Sequence, residues 1–326
     1  MKRLDIALAG GSGFVGTALA NRLVGRGHTV RVLTRDRERA RAAWMLPGAS
    51  VVEVNGYDGD GLAHALSGCD AVVNLVGILN ERRDNGRDFH RAHVEFTERM
   101  LQACKSSDVR HVVHLSALGA EPGAPSHYLR SKGEAEKRLE SASGRRLAVD
   151  ILRPSVIFGP DDDFLNRFAA LLRATPGVLP LAGAGARLQP VYLGDVVTAT
   201  TQLLETRGAG CTKYELGGPE VLTLGEIVRY VATLIARPTF IVPLGGPLAT
   251  LLAWLMEFAP GKPLTRDNLR SLAVPSVCAG ENGLLRLGLK PTPLAAVVPA
   301  YLAARAQRGR YAGFRRAARR DDATAR

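Results

Sequence analysis

Cysteine is scarce in this chain. Four residues (Cys69, Cys104, Cys211 and Cys278) are scattered through 326 positions, with no metal-ligand spacing between them. That pattern excludes a cysteine metal site and a disulfide framework, and predicts reduced thiols in a cytoplasmic compartment. Internal repeats and low-complexity segments are also missing. With 46% hydrophobic residues the chain reads as globular, not disordered. Met1-Lys2-Arg3 leads straight into an apolar segment, so no cleavable leader is expected. No recognised nucleic-acid-binding module accompanies the basic charge, and no nucleic-acid partner is expected. An unbroken apolar run of bilayer length is lacking too. The most apolar window, Ile241 to Ala259, is broken by Pro243, Gly245, Gly246 and Pro247. What remains, Leu248 to Phe258, is too short to span a membrane. It is expected as a buried helix of a smaller domain. A helix on a membrane surface or against a partner is the alternative.

Positive charge is plentiful. The net charge is +12, and half of it falls from Arg305 onward, where eight arginines face Asp321 and Asp322. A solvated tail over 305–326 is the plain reading, and contact with anionic lipid or an acidic partner is the sharper one.

The stretch that organises the chain is Gly10-Gly11-Ser12-Gly13-Phe14-Val15-Gly16. It lies between an apolar strand-like run, Leu4 to Ala9, and a helical pattern, Phe14 to Val24. A second strand-like run, Thr29 to Leu33, follows. In that context Gly10 permits a tight turn, Gly13 lets backbone approach a diphosphate, and Gly16 lets helix and strand pack closely. The amides opening the helix, at Phe14, Val15 and Gly16, then point at the phosphates of a dinucleotide.

Strand-like and helix-like stretches alternate onward. Val51–Val54, Ala71–Val76, His111–Ser116 and Leu147–Leu152 read as strands buried on both faces of a parallel sheet. Helical patterns lie near Gly59–Ser67, Asp88–Ser106 and Tyr128–Ser143. The expectation is a doubly wound α/β domain over 1–155, with a return segment near 188–206. A smaller, loop-rich α/β domain over 156–304 covers the ligand edge. Asp195, in the return segment, is read as a helix cap. His111 and His114 are read as packed residues on one face of the fifth strand.

Several residues suggest chemistry. Arg35 follows the second strand, where arginine suits the 2′-phosphate of NADP(H) better than the ribose of NAD(H). Asp36 argues the other way, but it also suits a helix cap. Asn74-Leu75-Val76-Gly77 closes the fourth strand at the ligand edge and could line the nicotinamide ribose. Tyr128 and Lys132 lie four apart, on one face of a helix. A cation near the phenol is expected to depress its pKa, so that the pair exchanges a proton with a substrate oxygen while hydride moves.

The glycine turn, the NLVG strand end, the YLRSK helix and Leu152-Arg153-Pro154-Ser155-Val156-Ile157-Phe158-Gly159-Pro160 resemble the extended and atypical short-chain dehydrogenase/reductases. Asp163-Phe164-Leu165-Asn166, Gln189-Pro190-Val191-Tyr192 and Pro263-Leu264-Thr265-Arg266-Asp267-Asn268 resemble one branch. That branch holds the nucleotide-binding accessory subunit of respiratory complex I and its bacterial relatives. The resemblance implies a Rossmann domain holding NADP(H), in some members without turnover. It assigns Gly10, Gly13 and Gly16 to the pyrophosphate, Arg35 to the 2′-phosphate, and Tyr128 and Lys132 to the nicotinamide site. Two departures stand out. Gly56 is followed by Tyr57 where relatives place an aspartate. The active-site hydroxyl position falls on Leu118, with Ser116 two residues early as the third catalytic candidate.

Two functions follow. One is a reductase acting on a carbonyl or a small apolar, quinone-like substrate. The other is a nucleotide-binding accessory or assembly factor of a respiratory or quinone-related complex, peripheral at the inner membrane face. A nucleotide-sugar epimerase is the weaker third, since no uridine-diphosphate pocket is recognisable.

Overall fold

The computed structural model describes residues 2–175 and 177–303. Seven strands form one parallel sheet: β1 (Asp5–Ala9), β2 (Thr29–Thr34), β3 (Ala49–Glu53), β4 (Ala71–Asn74), β5 (His111–Leu115), β6 (Ala148–Pro154) and β7 (Cys211–Leu216). Their spatial order is β7-β6-β5-β4-β1-β2-β3. The chain winds outward from β1 to β3, then returns to the other side of β1 through β4. That reversal opens a crevice at the carboxyl ends of β1 and β4, where doubly wound sheets take ligands.

The alternation along each strand explains the layering. Ile6 and Leu8 of β1 join the core on one face, and Ala7 and Ala9 join the core on the other. Helix α1 (Phe14–Gly25) covers the first face. The second is covered by α2 (Gly59–Leu66), α3 (Phe96–Ser106) and α4 (His127–Ala142). Helix α5 (Leu193–Thr206) packs beside α1.

Several local expectations need correction. The helix expected over Asp88–Ser106 is interrupted by a π-turn at Arg91–Glu95. Asp195 lies inside the first turn of α5 and caps nothing. Its carboxylate accepts from the Thr292 N–H (2.7 Å) and hydroxyl (2.9 Å), tying down the C-terminal segment. His111 and His114 are three apart and therefore lie on opposite faces of β5. β7 had no counterpart in the sequence pattern: as an edge strand reading Cys-Thr-Lys-Tyr-Glu-Leu it lacks the apolar run that marks inner strands.

The smaller lobe has its own core, in which Phe158, Leu165, Leu172, Ile227 and Val231 meet Val298 and Leu302 from a helix over residues 294–303. Strands Val178–Ala182 and Phe240–Leu244 pair in parallel there. Helix α6 (Gly246–Met256) follows. The expected burial of Leu248–Phe258 is not met. Only Ala249 and Ala253 of α6 are buried, while Leu248, Leu251, Trp254, Leu255 and, just beyond it, Phe258 are exposed. Among the described residues no helix is long and apolar enough to cross a membrane. The basic segment 305–326 lies outside the described residues.

Candidate functional site

The site begins at the turn after β1. Gly10 adopts φ +79°, and a Cβ there would sit 3.0 Å from the Leu75 carbonyl carbon. A Cβ at Gly16 would sit 2.5 Å from the Gly11 Cα, so only glycine lets α1 lie this close to its own turn. Gly13 differs from both. A Cβ there would meet only the Gly10 oxygen, at 3.4 Å, and this N-cap residue has no side chain to satisfy the helix's first amides. The first turn also carries no acidic residue. The N–H groups at Phe14, Val15 and Gly16 thus lack a side-chain cap, at the positive end of a helix dipole, facing the crevice.

Arg35 stands exposed just past β2 and forms no hydrogen bond or ion pair among the described residues. Asp36 is engaged elsewhere. Its carboxylate caps the next turn by accepting from the Glu38 N–H (3.0 Å) and pairs with Arg39 (3.5 Å). The free charge at this corner is therefore positive.

At the end of β4 the buried Asn74 uses both ends of its amide. Its Nδ2 donates to Thr97 (3.2 Å) and its Oδ1 accepts from the Val76 N–H (3.1 Å). This aims the strand end toward Gly77. A Cβ on Gly77 would lie 3.4 Å from the Lys132 Nζ and 3.5 Å from the His93 Nε2, so the fourth-strand loop, α4 and the π-turn converge here.

His93 is the residue that sequence reasoning missed. Its Nε2 accepts from the Ile78 N–H (3.2 Å), which leaves the proton on Nδ1, 2.8 Å from the Ser131 hydroxyl. Ser131 in turn donates to the Tyr128 carbonyl (2.8 Å). Burial, with Lys132 and His114 nearby, holds the His93 pKa well below its usual value, so the ring is neutral. The π-turn, which no residue pattern announces, is what presents this ring to the site.

Tyr128 is flanked edge-on by Phe89 (5.8 Å) and His93 (5.7 Å), and its hydroxyl makes no hydrogen bond among the described residues. The sequence predicted a phenol made more acidic by Lys132. Instead burial pushes Tyr128 up to about 12. Lys132 moves further from ordinary behaviour: buried, and donating to the Leu115 carbonyl (2.9 Å), it is pushed down to about 8, against a smaller raising effect of Glu136. Near neutrality Tyr128 is thus a proton donor in its neutral form, and Lys132 is the titrating group.

Ser116 was the third catalytic candidate. Its hydroxyl donates to the buried carboxylate of Glu136, one turn beyond Lys132 on α4. Glu136 also holds Arg153 (2.9 Å from Nε) and Lys213 (3.1 Å). Ser116 therefore belongs to a structural ion cluster under β6 and β7. Leu118, at the position where a hydroxyl was expected, is buried.

The smaller lobe contributes a further positioning group. Asp267 accepts from the backbone N–H groups of His127 (2.7 Å) and Tyr128 (3.1 Å), capping the helix that carries the tyrosine. Helix α7 (Arg266–Leu272) starts from a Thr265/Asn268 capping box, and its Arg270 pairs with Asp84 (2.7 and 2.8 Å). The Pro263–Asn268 motif is thus a clasp between lobe and site.

Residues 6–217 match the NAD dependent epimerase/dehydratase family. The mitochondrial NADH dehydrogenase [ubiquinone] 1 alpha subcomplex subunit 9 of Arabidopsis thaliana is 31% identical over 78% of this chain, which spans 63% of that protein's length. The 2-alkyl-3-oxoalkanoate reductase of Stenotrophomonas maltophilia is 28% identical over 72% of this chain and 77% of the reductase. Among solved structures, the dTDP-glucose 4,6-dehydratase DesIV of Streptomyces venezuelae, with NAD bound, superposes with a TM-score of 0.73. It covers 94% of this chain and 97% of its own at 21% identity, a likeness of fold.

Proposed function

The chain belongs to the NAD dependent epimerase/dehydratase family, and we propose that it holds NADP(H) as a resident nucleotide, serving as an accessory-type protein of a respiratory or quinone-related complex. The glycine turn would hold the pyrophosphate and Arg35 the 2′-phosphate. Gly77 and Lys132 would flank the nicotinamide ribose. The observation that carries the resident reading is Ser116: its hydroxyl is donated to Glu136 and is not offered to a substrate oxygen beside Tyr128. The relation to the Arabidopsis complex I subunit supports it.

One observation favours a second reading. Tyr128 keeps its proton and its hydroxyl is free, which suits donation to a carbonyl oxygen, and a reductase is among the relatives. The bound nucleotide would supply the hydride. Tyr128 would supply the proton, and Lys132 would hold the positive charge that favours this. The substrate would be a carbonyl or quinone-like compound. No residue pattern supports a sugar-nucleotide site.

Nucleotide extracted from freshly purified protein separates the readings. We expect NADP(H) in near-stoichiometric amount, whose redox state does not change over hours with carbonyl or quinone substrates. Arg35→Asp is expected to weaken NADPH binding by about 10- to 100-fold with little effect on NADH. Equal affinities for the two nucleotides, unchanged by that substitution, would refute the Arg35 assignment. Turnover abolished by Tyr128→Phe would establish the reductase instead.

A further inference from the structure

Helix α6 is apolar all round, yet most of its large side chains face away from the lobe. Ala249 and Ala253 are its buried residues, with Leu252 and Met256 half-buried beside them. Its outward stripe is large, with Leu248 at 64%, Leu251 at 52%, Trp254 at 44% and Leu255 at 49% exposed. Phe258, in the turn that follows, is 74% exposed and lies edge-on to Trp254 at 5.4 Å. The preceding strand adds Phe240, 72% exposed and paired in register with exposed Val178. From Phe240 to Met256 there is no charged residue. Glu257, the first one after it, is neutralised by Arg266 at 3.0 Å. Scattered exposed apolar residues are ordinary, but a run of this size on one helix marks a contact surface.

We propose that α6 and Phe258 lie in the interface of an anionic lipid bilayer, apolar face inward, and dock the smaller lobe on the membrane. Charge chooses this occupant. The chain carries +12, and half of that excess lies from Arg305 onward. That segment continues from the helix over 294–303, whose Val298, Tyr301 and Leu302 pack in the core of the same lobe. Arg173 and Arg237, at the approaches to the two paired lobe strands, are exposed as well. An apolar helix face and a basic stretch of sequence following the lobe's helix over 294–303 are the two weak signals that together give stable attachment. Trp254 is a residue type that settles at the headgroup boundary, and Phe258 one that interfacial helices bury beneath it. With eleven residues, α6 can lie in that boundary but cannot cross the bilayer. This inference does not depend on the nucleotide.

The test uses the full chain with Trp44→Phe, so that Trp254 is the only tryptophan. Vesicles of equal parts phosphatidylcholine and phosphatidylglycerol should bind it and shift the Trp254 emission to the blue. Brominated lipid should quench that emission, and phosphatidylcholine alone should bind much less. Leu251→Ser/Phe258→Ser should lower vesicle affinity by about tenfold or more, with the melting temperature unchanged because both residues are exposed. Absent vesicle binding, unchanged binding by that variant, or Trp254 emission untouched by bound lipid would each overturn the proposal. So would a dimer in free solution that the same substitutions dissolve, since the face would then belong to a second copy of the chain.

Discussion

Helices α1 and α6 are almost the same length and rich in the same residues, yet they are held in opposite ways. α1 turns Leu19 and Leu23 fully into the core and uses Gly16 to lie against its own glycine turn. α6 buries only two alanines fully, half-buries Leu252 and Met256, and leaves Leu248, Leu251, Leu255 and Trp254 outside. The first helix is fixed by what it buries within the molecule. The second buries too little to explain its own composition, so its large side chains answer to something other than folding.

That contrast can be broken by substitution. A large effect is expected between these two, in the ion cluster behind the site. Glu136→Ala should cost about 3 kcal/mol in chemical denaturation, because the largely buried Arg153 would lose its buried carboxylate and keep only the exposed Glu121, at 3.3 Å, as an ionic partner. A loss below about 1 kcal/mol would mean that Glu121 alone satisfies Arg153, and that Ser116 is freer than the structure places it. Leu19→Ala should cost about 2–5 kcal/mol, whereas Leu251→Ala should stay within about 0.5 kcal/mol of wild type. Similar losses at both positions would erase the distinction between the helices.

Lys132 gives a subtler, pH-dependent comparison. Its folded-state pKa of about 8 lies below the ordinary lysine value of 10.5. Between those values the unfolded chain binds more protons than the folded one, so stability from this group rises with pH. Lys132→Met should therefore be more stable than wild type below pH 8. Offset by loss of the Leu115 hydrogen bond, the gain should be about 2 kcal/mol, shrinking as pH approaches 10.5. Melting curves across that range read the difference directly, and a constant gap would show that the ammonium carries no burial penalty.

The two helices also mark where the sequence was legible. The glycine turn and six of the seven sheet strands were readable, because local spacing encodes burial on a parallel sheet. So was the presence of Tyr128 and Lys132 on one helix. The exposure of α6 was not: an apolar helix reads alike whether its partner is the protein core or a surface outside it. His93 was hidden because its position depends on a π-turn, and a single altered hydrogen-bond register leaves no mark on apolar periodicity. The altered behaviour of the Tyr128–Lys132 pair was invisible for another reason. Burial outweighs the attraction that four-residue spacing suggests, and burial is set by segments far away in the chain.

The cap on α4 shows how far that distance reaches. Asp267 follows Tyr128 by 139 residues, yet its carboxylate secures the tyrosine's own backbone amide. During synthesis the emerging polypeptide would complete its glycine turn, and all of β1 through β6, well before this aspartate leaves the ribosome. A nascent chain could therefore present a finished phosphate cradle beside an unanchored tyrosine. The helix that carries Tyr128 would gain this cap only once residue 267 has emerged.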